Sequence, residues 1–490
     1  MNLKLIFISL GLLLTELLTA QDQTTELSLK QVIEIARMES PDAQMARHSF
    51  RSAYWNYKYY RANYLPSLSL TSDPNLNRAI NKITMGDGSV KFVEQNLLNT
   101  DLTLNLSQNL SWTGGSFFLE TSAQRMDLFS EHKYSWQTSP IMIGYRQSLF
   151  GYNSLKWDRR IEPVRYQEAK KSYVETLELV SANAINKFFA LATAQSDYDI
   201  ASFNYANADT LYRYAQGRYN IGTITENEML QLELNRLTEE TNRMNALIEM
   251  DNCMQELRSY LGIHEDRELR VLVSPQIPDF SVNLNEALAL AYENSPDIQT
   301  MERRKLESES AVAKARANAG LKADIYLRFG LTQTADKLPE AYRNLLDQQY
   351  VSIGISLPIL DWGRGKGQVR VARSNRDLVY TQVEQSRTDF ELNVRKLVKQ
   401  FNLQTQRVRI AARTDETAQR RSEVARKLYL LGKSTILDLN ASISEKDSAR
   451  RNYISALYNY WSLYYTLRSM TLYDFERNTM LTEDYHLLIE

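Results

Sequence analysis

Two hydrophobic periods divide this chain. Leu102, Leu104 and Leu106 alternate with Asp101, Thr103, Asn105 and Ser107. Ile141, Ile143 and Tyr145 alternate with Met142, Gly144 and Arg146. Ile325, Leu327, Phe329 and Leu331 do the same with Asp324, Tyr326, Arg328 and Gly330, and Val351, Ile353, Ile355 and Leu357 with Ser352, Gly354 and Ser356. Period two with one apolar and one small, polar face predicts β-strands. Leu68–Thr71 and Phe117–Ala123 are similar. Elsewhere the period is helical. Tyr173, Leu177, Val180, Ala184, Phe188 and Leu191 recur at three and four, as do Leu230, Leu234, Leu237, Thr241 and Met244. Phe390, Val394, Leu397, Phe401, Val408 and Ala412 form a third seam, and Tyr453, Leu457, Tyr460, Tyr464 and Leu467 a fourth. These read as coiled-coil-like seams. The charged residues around them read as solvated faces.

The helices are long. From Gln368 to Leu431 there are 64 residues without Gly or Pro. Unbroken, they would span ~95 Å at helical rise. After Gly432 neither breaker recurs before Glu490. Such a helix needs parallel partners, and the chain supplies one by duplication. An offset of 210 lays Gly222 on Gly432, Tyr219 on Tyr429, and Leu257-Arg258-Ser259 on Leu467-Arg468-Ser469. An offset of 255 lays Ser40-Pro41-Asp42 on Ser295-Pro296-Asp297. The first half therefore carries 45 extra residues between Asn63 and Phe150.

This gives the organisation. Residues 1–20 read as a signal peptide: a basic start at Lys4, a short apolar core and Ala20 at the cut. No Cys lies near the cut, so a lipoprotein is not expected. The first repeat covers 21–261, with strands within about 64–150 and a helical hairpin at 154–261. Residues 262–283 are a linker. The second repeat covers 284–471, with strands within about 324–360 and a hairpin at 367–471. Residues 472–490 form a tail without a repeat partner. Leu29, Val32, Ile33 and Ala36 make a helical stripe before the first Ser-Pro-Asp.

Composition narrows the class. The net charge of −1 calls for no nucleic acid. The single Cys253 forms no internal disulfide and reads as a core position. No later stretch is apolar enough for a membrane helix, so any crossing must use a closed β-barrel. Phe92, Trp112, Phe117, Phe118, Tyr134, Trp136, Tyr350 and Trp362 cluster around the strands as interfacial girdles would. The alternative for the strands is a half-wet sheet in a soluble domain. Each half shows only two clear strands, so a barrel would be shared among chains.

Chemistry is sparse. Gly363-Arg364-Gly365-Lys366-Gly367 lacks the P-loop spacing and reads as a flexible strand-to-helix joint. His48, His132, His264 and His486 have no ligand spacing, and no nucleophile signature appears. No catalytic residue, metal site or cofactor is expected.

With the duplicated halves, Leu284 to Asp297, Leu357-Pro358-Ile359-Leu360-Asp361-Trp362-Gly363 and the turns Tyr219–Gly222 and Tyr429–Gly432, the chain resembles the TolC family of outer-membrane efflux channels. The resemblance implies a mixed membrane protein. A trimeric transmembrane β-barrel is continued by a long periplasmic α-helical coiled-coil barrel, built from two internal repeats. It implies a homotrimer in outer-membrane lipid of a Gram-negative bacterium. It also implies a periplasmic adaptor and an inner-membrane pump as partners, in efflux or type I secretion. By position it carries a periplasmic gate to Tyr429 and Glu228, with Ser434 and Asn227 at a second latch and Asp438 in an acidic ring. The second acid of that ring falls on Ala441. Adaptor contact falls on Gly222, Thr223, Ile224, Gly432, Lys433 and Ser434. Two strands per half give 12 strands per trimer; the hairpin in the insert would raise this to 18 if it joined the wall, and 12 is slightly favoured. The rival readings are a periplasmic adaptor and a secreted structural coiled coil.

Overall fold

A computed structural model of the chain describes residues 25–264, 268–431 and 433–489. The expected signal peptide and Gly432 lie outside the described residues. The chain divides into two units. One holds Ala169–Ile298, Thr388–Glu490 and the N-terminal residues through Arg51; the other holds Ser52–Glu168 and Gln299–Arg387.

In the first unit, β1 (Thr25–Ser28) leads into α1 (Leu29–Glu39), whose Ser28 cap and Gln31 form a reciprocal capping box. Val32, Ile33 and Ala36 are buried, as their spacing predicts. Pro41 opens α2 (Pro41–Ala62), where a missing amide costs nothing. Four long helices enter this unit: α3 (Ser154–Asn220), α4 (Glu226–Leu261), and, from the second repeat, their counterparts Arg364–Leu430 and Ile436–Thr471. Between them, β7 (Leu269–Leu272) pairs parallel with β1. The linker thus contains a strand, four residues long and too short to show a period. Helices α5 (Leu284–Asn294) and α6 (Pro296–Ala319) repeat α1 and α2.

Three of the four seams are buried. Tyr173, Leu177, Val180, Ala184, Phe188 and Leu191 are all covered, as are Phe390, Val394, Leu397, Phe401 and Val408. Leu457, Tyr460, Tyr464 and Leu467 complete the core, with the Phe401 ring 5.4 Å from Tyr460 and 5.8 Å from Tyr464. The second seam differs: Leu230, Leu234, Leu237 and Met244 on α4 are exposed. Cys253, also on α4, is half-exposed rather than core. Partial burial and the neighbouring Glu249 carboxylate push its thiol up to about 11.

An ion network ties this core together. Glu178 is fully buried and accepts from Arg37 at 2.6 Å and from Arg468 at 2.8 and 3.1 Å. Arg468 also donates to Asp474 at 3.0 Å, and Tyr464 donates to the same carboxylate at 2.6 Å. Two short strands, β10 (Tyr473–Asp474) and β11 (Thr479–Met480), fold the tail beside it.

The second unit is built on one sheet of β2 (Ser67–Thr71), β3 (Asn75–Thr84), β4 (Val90–Leu110), β5 (Gly115–Leu128), β6 (Lys133–Leu149), β8 (Lys322–Ala335) and β9 (Leu346–Ser356). All pairings are antiparallel. Both β2 and β3 lie along β4, so the sheet has six columns in the order β2/β3, β4, β5, β6, β8, β9. The hairpin of the insert lies within this sheet. Leu102–Leu110 and Phe117–Ala123 pair with each other and, on either side, with β2 and β6. The physical reason is that both strands alternate in phase with their neighbours.

The glycine-rich segment is the expected strand-to-helix joint. The third long helix, α7 (Arg364–Leu430), starts inside it. Asp361 accepts from the amides of Gly363 at 2.9 Å and Gly365 at 2.8 Å. The joint is a capped helix start, because an Asp side chain satisfies the first orphan amides. Those hydrogen bonds hold the Asp361 carboxyl below the usual range. The last long helix is α8 (Ile436–Thr471).

Candidate functional site: helical tips and sheet faces

The tips fold from the same local rules twice. At the first, Gly222 adopts φ 75°, a left-handed conformation that closes α3 without a Cβ penalty. The Gly222 amide donates to the Tyr219 carbonyl at 2.8 Å and the Thr223 amide to the Arg218 carbonyl at 2.9 Å. This is the Schellman arrangement. Thr225 then caps α4, with Glu228 returning to its amide at 2.9 Å in a capping box. At the second tip the Lys433 amide donates to the Leu428 carbonyl at 2.9 Å, the counterpart of the Thr223 bond. Thr435 caps α8, and Asp438 accepts from the Thr435 hydroxyl at 2.8 Å and from Ser434 at 3.4 Å. The Thr435 hydroxyl and amide hold the Asp438 carboxyl below the ordinary carboxylate range.

The expected gate residues therefore sit at two places. Asn227 and Glu228 are exposed in the first turn of α4, and Asp438 is exposed in the first turn of α8. Tyr429 is half-exposed in the last turn of α7, and Ser434 lies in the turn itself. Among the described residues no hydrogen bond joins Tyr429 to Glu228. Both acids are engaged in capping their own helices. Of the expected adaptor contacts, Gly222, Thr223 and Lys433 are exposed and Ile224 is half-exposed.

The sheet carries the second functional feature. Residues directly opposite one another share a face. One register row runs Leu68, Leu106, Leu119, Ile143, Phe329 across five columns. A second runs Phe117, Tyr145, Leu327, Val351. Exposure of Leu68, Ile143, Phe329 and Val351 is 66%, 42%, 45% and 58%, so this apolar face has no cover within the chain. The opposite face reads Ser67, Ser107, Phe118, Gly144, Arg328, Tyr350 and Ser69, Asn105, Glu120, Met142, Gly330, Gln348. Arg328 pairs with Glu120 at 3.4 Å, and the Arg146 guanidinium lies 5.5 Å from the Tyr326 ring centre. A sheet apolar on one side and polar and charged on the other separates lipid from water.

Sequence reading missed two groups. The Phe118, Glu120, Arg328 cluster on the polar face was hidden by its division between two strands distant in the chain; its signal is that Phe118 and Glu120 alternate with Phe117 and Leu119. Glu178 departs from the reading of the charges beside the seams as solvated faces, since it is fully buried; its signal is a lone acid between Leu177 and Val180.

This is the fold of an outer-membrane channel. The Campylobacter jejuni CmeC outer membrane channel superposes with a TM-score of 0.68 at 15% identity, over 94% of this chain and 88% of that one. The Vibrio cholerae outer membrane protein VceC gives 0.62 at 15% identity, over 90% and 95%. A curated relative, toxin and drug export protein A of Aggregatibacter actinomycetemcomitans, is 24% identical over 451 residues, 86% of this chain and 94% of that protein. The model of the outer membrane efflux protein family matches residues 32–263 and 287–471. The chain belongs to that family, whose members are exit ducts for efflux and export.

Proposed function

We propose that three copies of this chain form one passive duct through the outer membrane, fed by a periplasmic adaptor and an inner-membrane pump. The observation that carries this is the two-faced sheet left open at both edges, which in lipid leaves backbone groups unsatisfied until other copies complete it. The uncovered α4 stripe of Leu230, Leu234, Leu237, Met244, Leu247 and Ile248 supports it independently, since an exposed apolar face of that length calls for a helical partner. The sequence supplies residues 1–20 for export, without a lipid-bearing Cys at the cut. The cargo belongs to the class recorded in the relative's name, toxins or drugs. Purification from the outer-membrane fraction, mass measurement in detergent and planar-bilayer recording test the reading. A trimer with unitary conductance supports it; a water-soluble monomer without conductance ends it.

The gate is proposed at the tips, where Tyr429, Glu228, Asn227 and Asp438 stand in the first and last helical turns and Ser434 in the connecting turn. Gly222, Thr223, Ile224, Gly432, Lys433 and Ser434 form the adaptor-facing turns. Tyr429→Phe is expected to raise the resting conductance. An unchanged closed state removes Tyr429 from the latch.

A further inference from the structure

We infer that the barrel wall contains six strand columns from each of three chains, eighteen in all, closed by β9 of one copy against the β2–β3 edge of the next. The inference rests on the trimeric reading above and specifies the surface through which it is built.

The first argument is the insert. Its strands β4 and β5 are the second and third columns of the sheet, flanked by β2 and β6. Their apolar residues lie on the same side as those of the other columns: Leu106 stands opposite Leu68, and Leu119 opposite Ile143. Leu102, Leu104, Leu106, Phe117 and Leu119 are each at least 36% exposed. A hairpin lying outside the wall in water would have no reason to match that phase. One lining the lipid must.

The second argument concerns the edges. Six columns are an even number, so β9 and β2 run in opposite directions. Contact between copies then continues the antiparallel pattern found throughout. Water-soluble sheets protect long edges with Lys, Pro or bulges. Over its 11 residues β9 has no Lys and no Pro, and its pairing with β8 shows no register shift. Its Val351, Ile353 and Ile355 are 58–71% exposed on the apolar face, and Leu68 and Leu70 on β2 are 66% and 63% exposed. Among the described residues β2 and β9 of one chain do not pair with each other. The occupant of each edge is therefore the other edge, on a second copy.

Barrel diameter rises roughly linearly with strand number, so this wall is about 1.5 times as wide as one of twelve strands. The outer opening then does little sieving, and selection falls to the helical end. The test uses spin labels at Leu104→Cys, Leu119→Cys and Ile353→Cys, each with Cys253→Ser, in reconstituted vesicles. Collision with oxygen reports lipid and collision with a nickel chelate reports water. Oxygen-dominated collision at all three supports the proposal. Water contact at Leu104 and Leu119 with lipid contact at Ile353 overturns it and leaves the trimeric channel standing. Water contact at all three overturns both. Electron microscopy of the unlabelled trimer gives an independent count: eighteen strands support the wall, and twelve sink it.

Discussion

The two halves of this chain agree to the residue in one place and not at all in another. Helices α3 and α7 each have 67 residues, and α4 and α8 each have 36. Every bound is offset by 210. The strands follow no such rule, since the first half contributes four columns and the second only two. The difference follows from geometry. One residue added to a long helix turns everything beyond it by about 100°, at 3.6 residues per turn, and rotates a buried seam into water. A strand hairpin added to a sheet returns the chain to the end it left. It widens the wall while leaving both helices in register. Substitutions at paired positions separate what the duplication keeps from what it lets drift.

The largest expected effect is at Glu178, whose counterpart in the second half is Thr388. Glu178 holds Arg37 and Arg468 together in the core, at the start of two chain-distant contacts. Glu178→Ala removes the buried carboxylate shared by two part-buried guanidinium groups, leaving Arg37 with Glu483 and Arg468 with Asp474, and breaking a buried pair costs about 3–5 kcal/mol. Chemical unfolding of the detergent-solubilised protein measures it. A loss below about 1 kcal/mol would mean that water replaces the carboxylate and that the network holds nothing together.

Next are the paired glycines Gly144 and Gly354. A Cβ on Gly144 would fall inside the Phe118 ring, on a strand that only the first half possesses. At Gly354 the nearest atom is the Asp324 carbonyl oxygen at 4.0 Å. Gly144→Ala is expected to cost about 1–3 kcal/mol by overpacking, and Gly354→Ala to stay within about 0.5 kcal/mol. Thermal dissociation of the oligomer compares them. Equal effects would detach Phe118, and with it β5, from the face assigned here.

Much of this was legible in the chain. The long helices were, because Gly432 is the one Gly or Pro between Gln368 and Glu490, and because the offset repeats them. The strands with strict alternation were legible too. Strand β3 was not: Asn75, Asn77, Arg78, Asn81 and Lys82 give neither face a consistent polarity. The place of the insert in the sheet was also out of reach, since pairing across a sheet is a non-local choice that period two does not encode. The α4 seam was read with the right period, and a single chain leaves it exposed. Spacing identifies an apolar stripe but not whether its cover belongs to the same chain.

The tips should respond more gently. Thr225→Ala and Thr435→Ala each remove a cap and are expected to cost about 1 kcal/mol locally. Amide exchange in the first turns of α4 and α8 reads this directly. The boxes differ in their acid, Glu228 against Asp438. Since the folded Asp438 carboxyl is held below its ordinary value, its share of the cap is present above the usual Asp range and is lost as pH falls through the depressed value. Protection factors, which remove the intrinsic pH dependence of exchange, that rise rather than fall at the α8 start on acidification below the usual Asp range would contradict this sign.

The last effect is the one that most directly converts one half into the other. Glu175 lies on α3, and the residue at its repeat position on α7 is Gln385. Burial first, and then the nearby Asp297 charge, push the Glu175 carboxyl up to about 7. A raised acid is favoured neutral in the fold, so the protein binds more protons folded than unfolded between the ordinary Glu value and about 7. Stability therefore falls as pH rises through that window. Glu175→Gln installs the second half's side chain and removes the ionisation. It should raise the melting midpoint at pH 8 and change it little at pH 5, flattening the pH profile. A variant that is equally stabilised at both pH values would show that packing, not charge, distinguishes the two helices at this position.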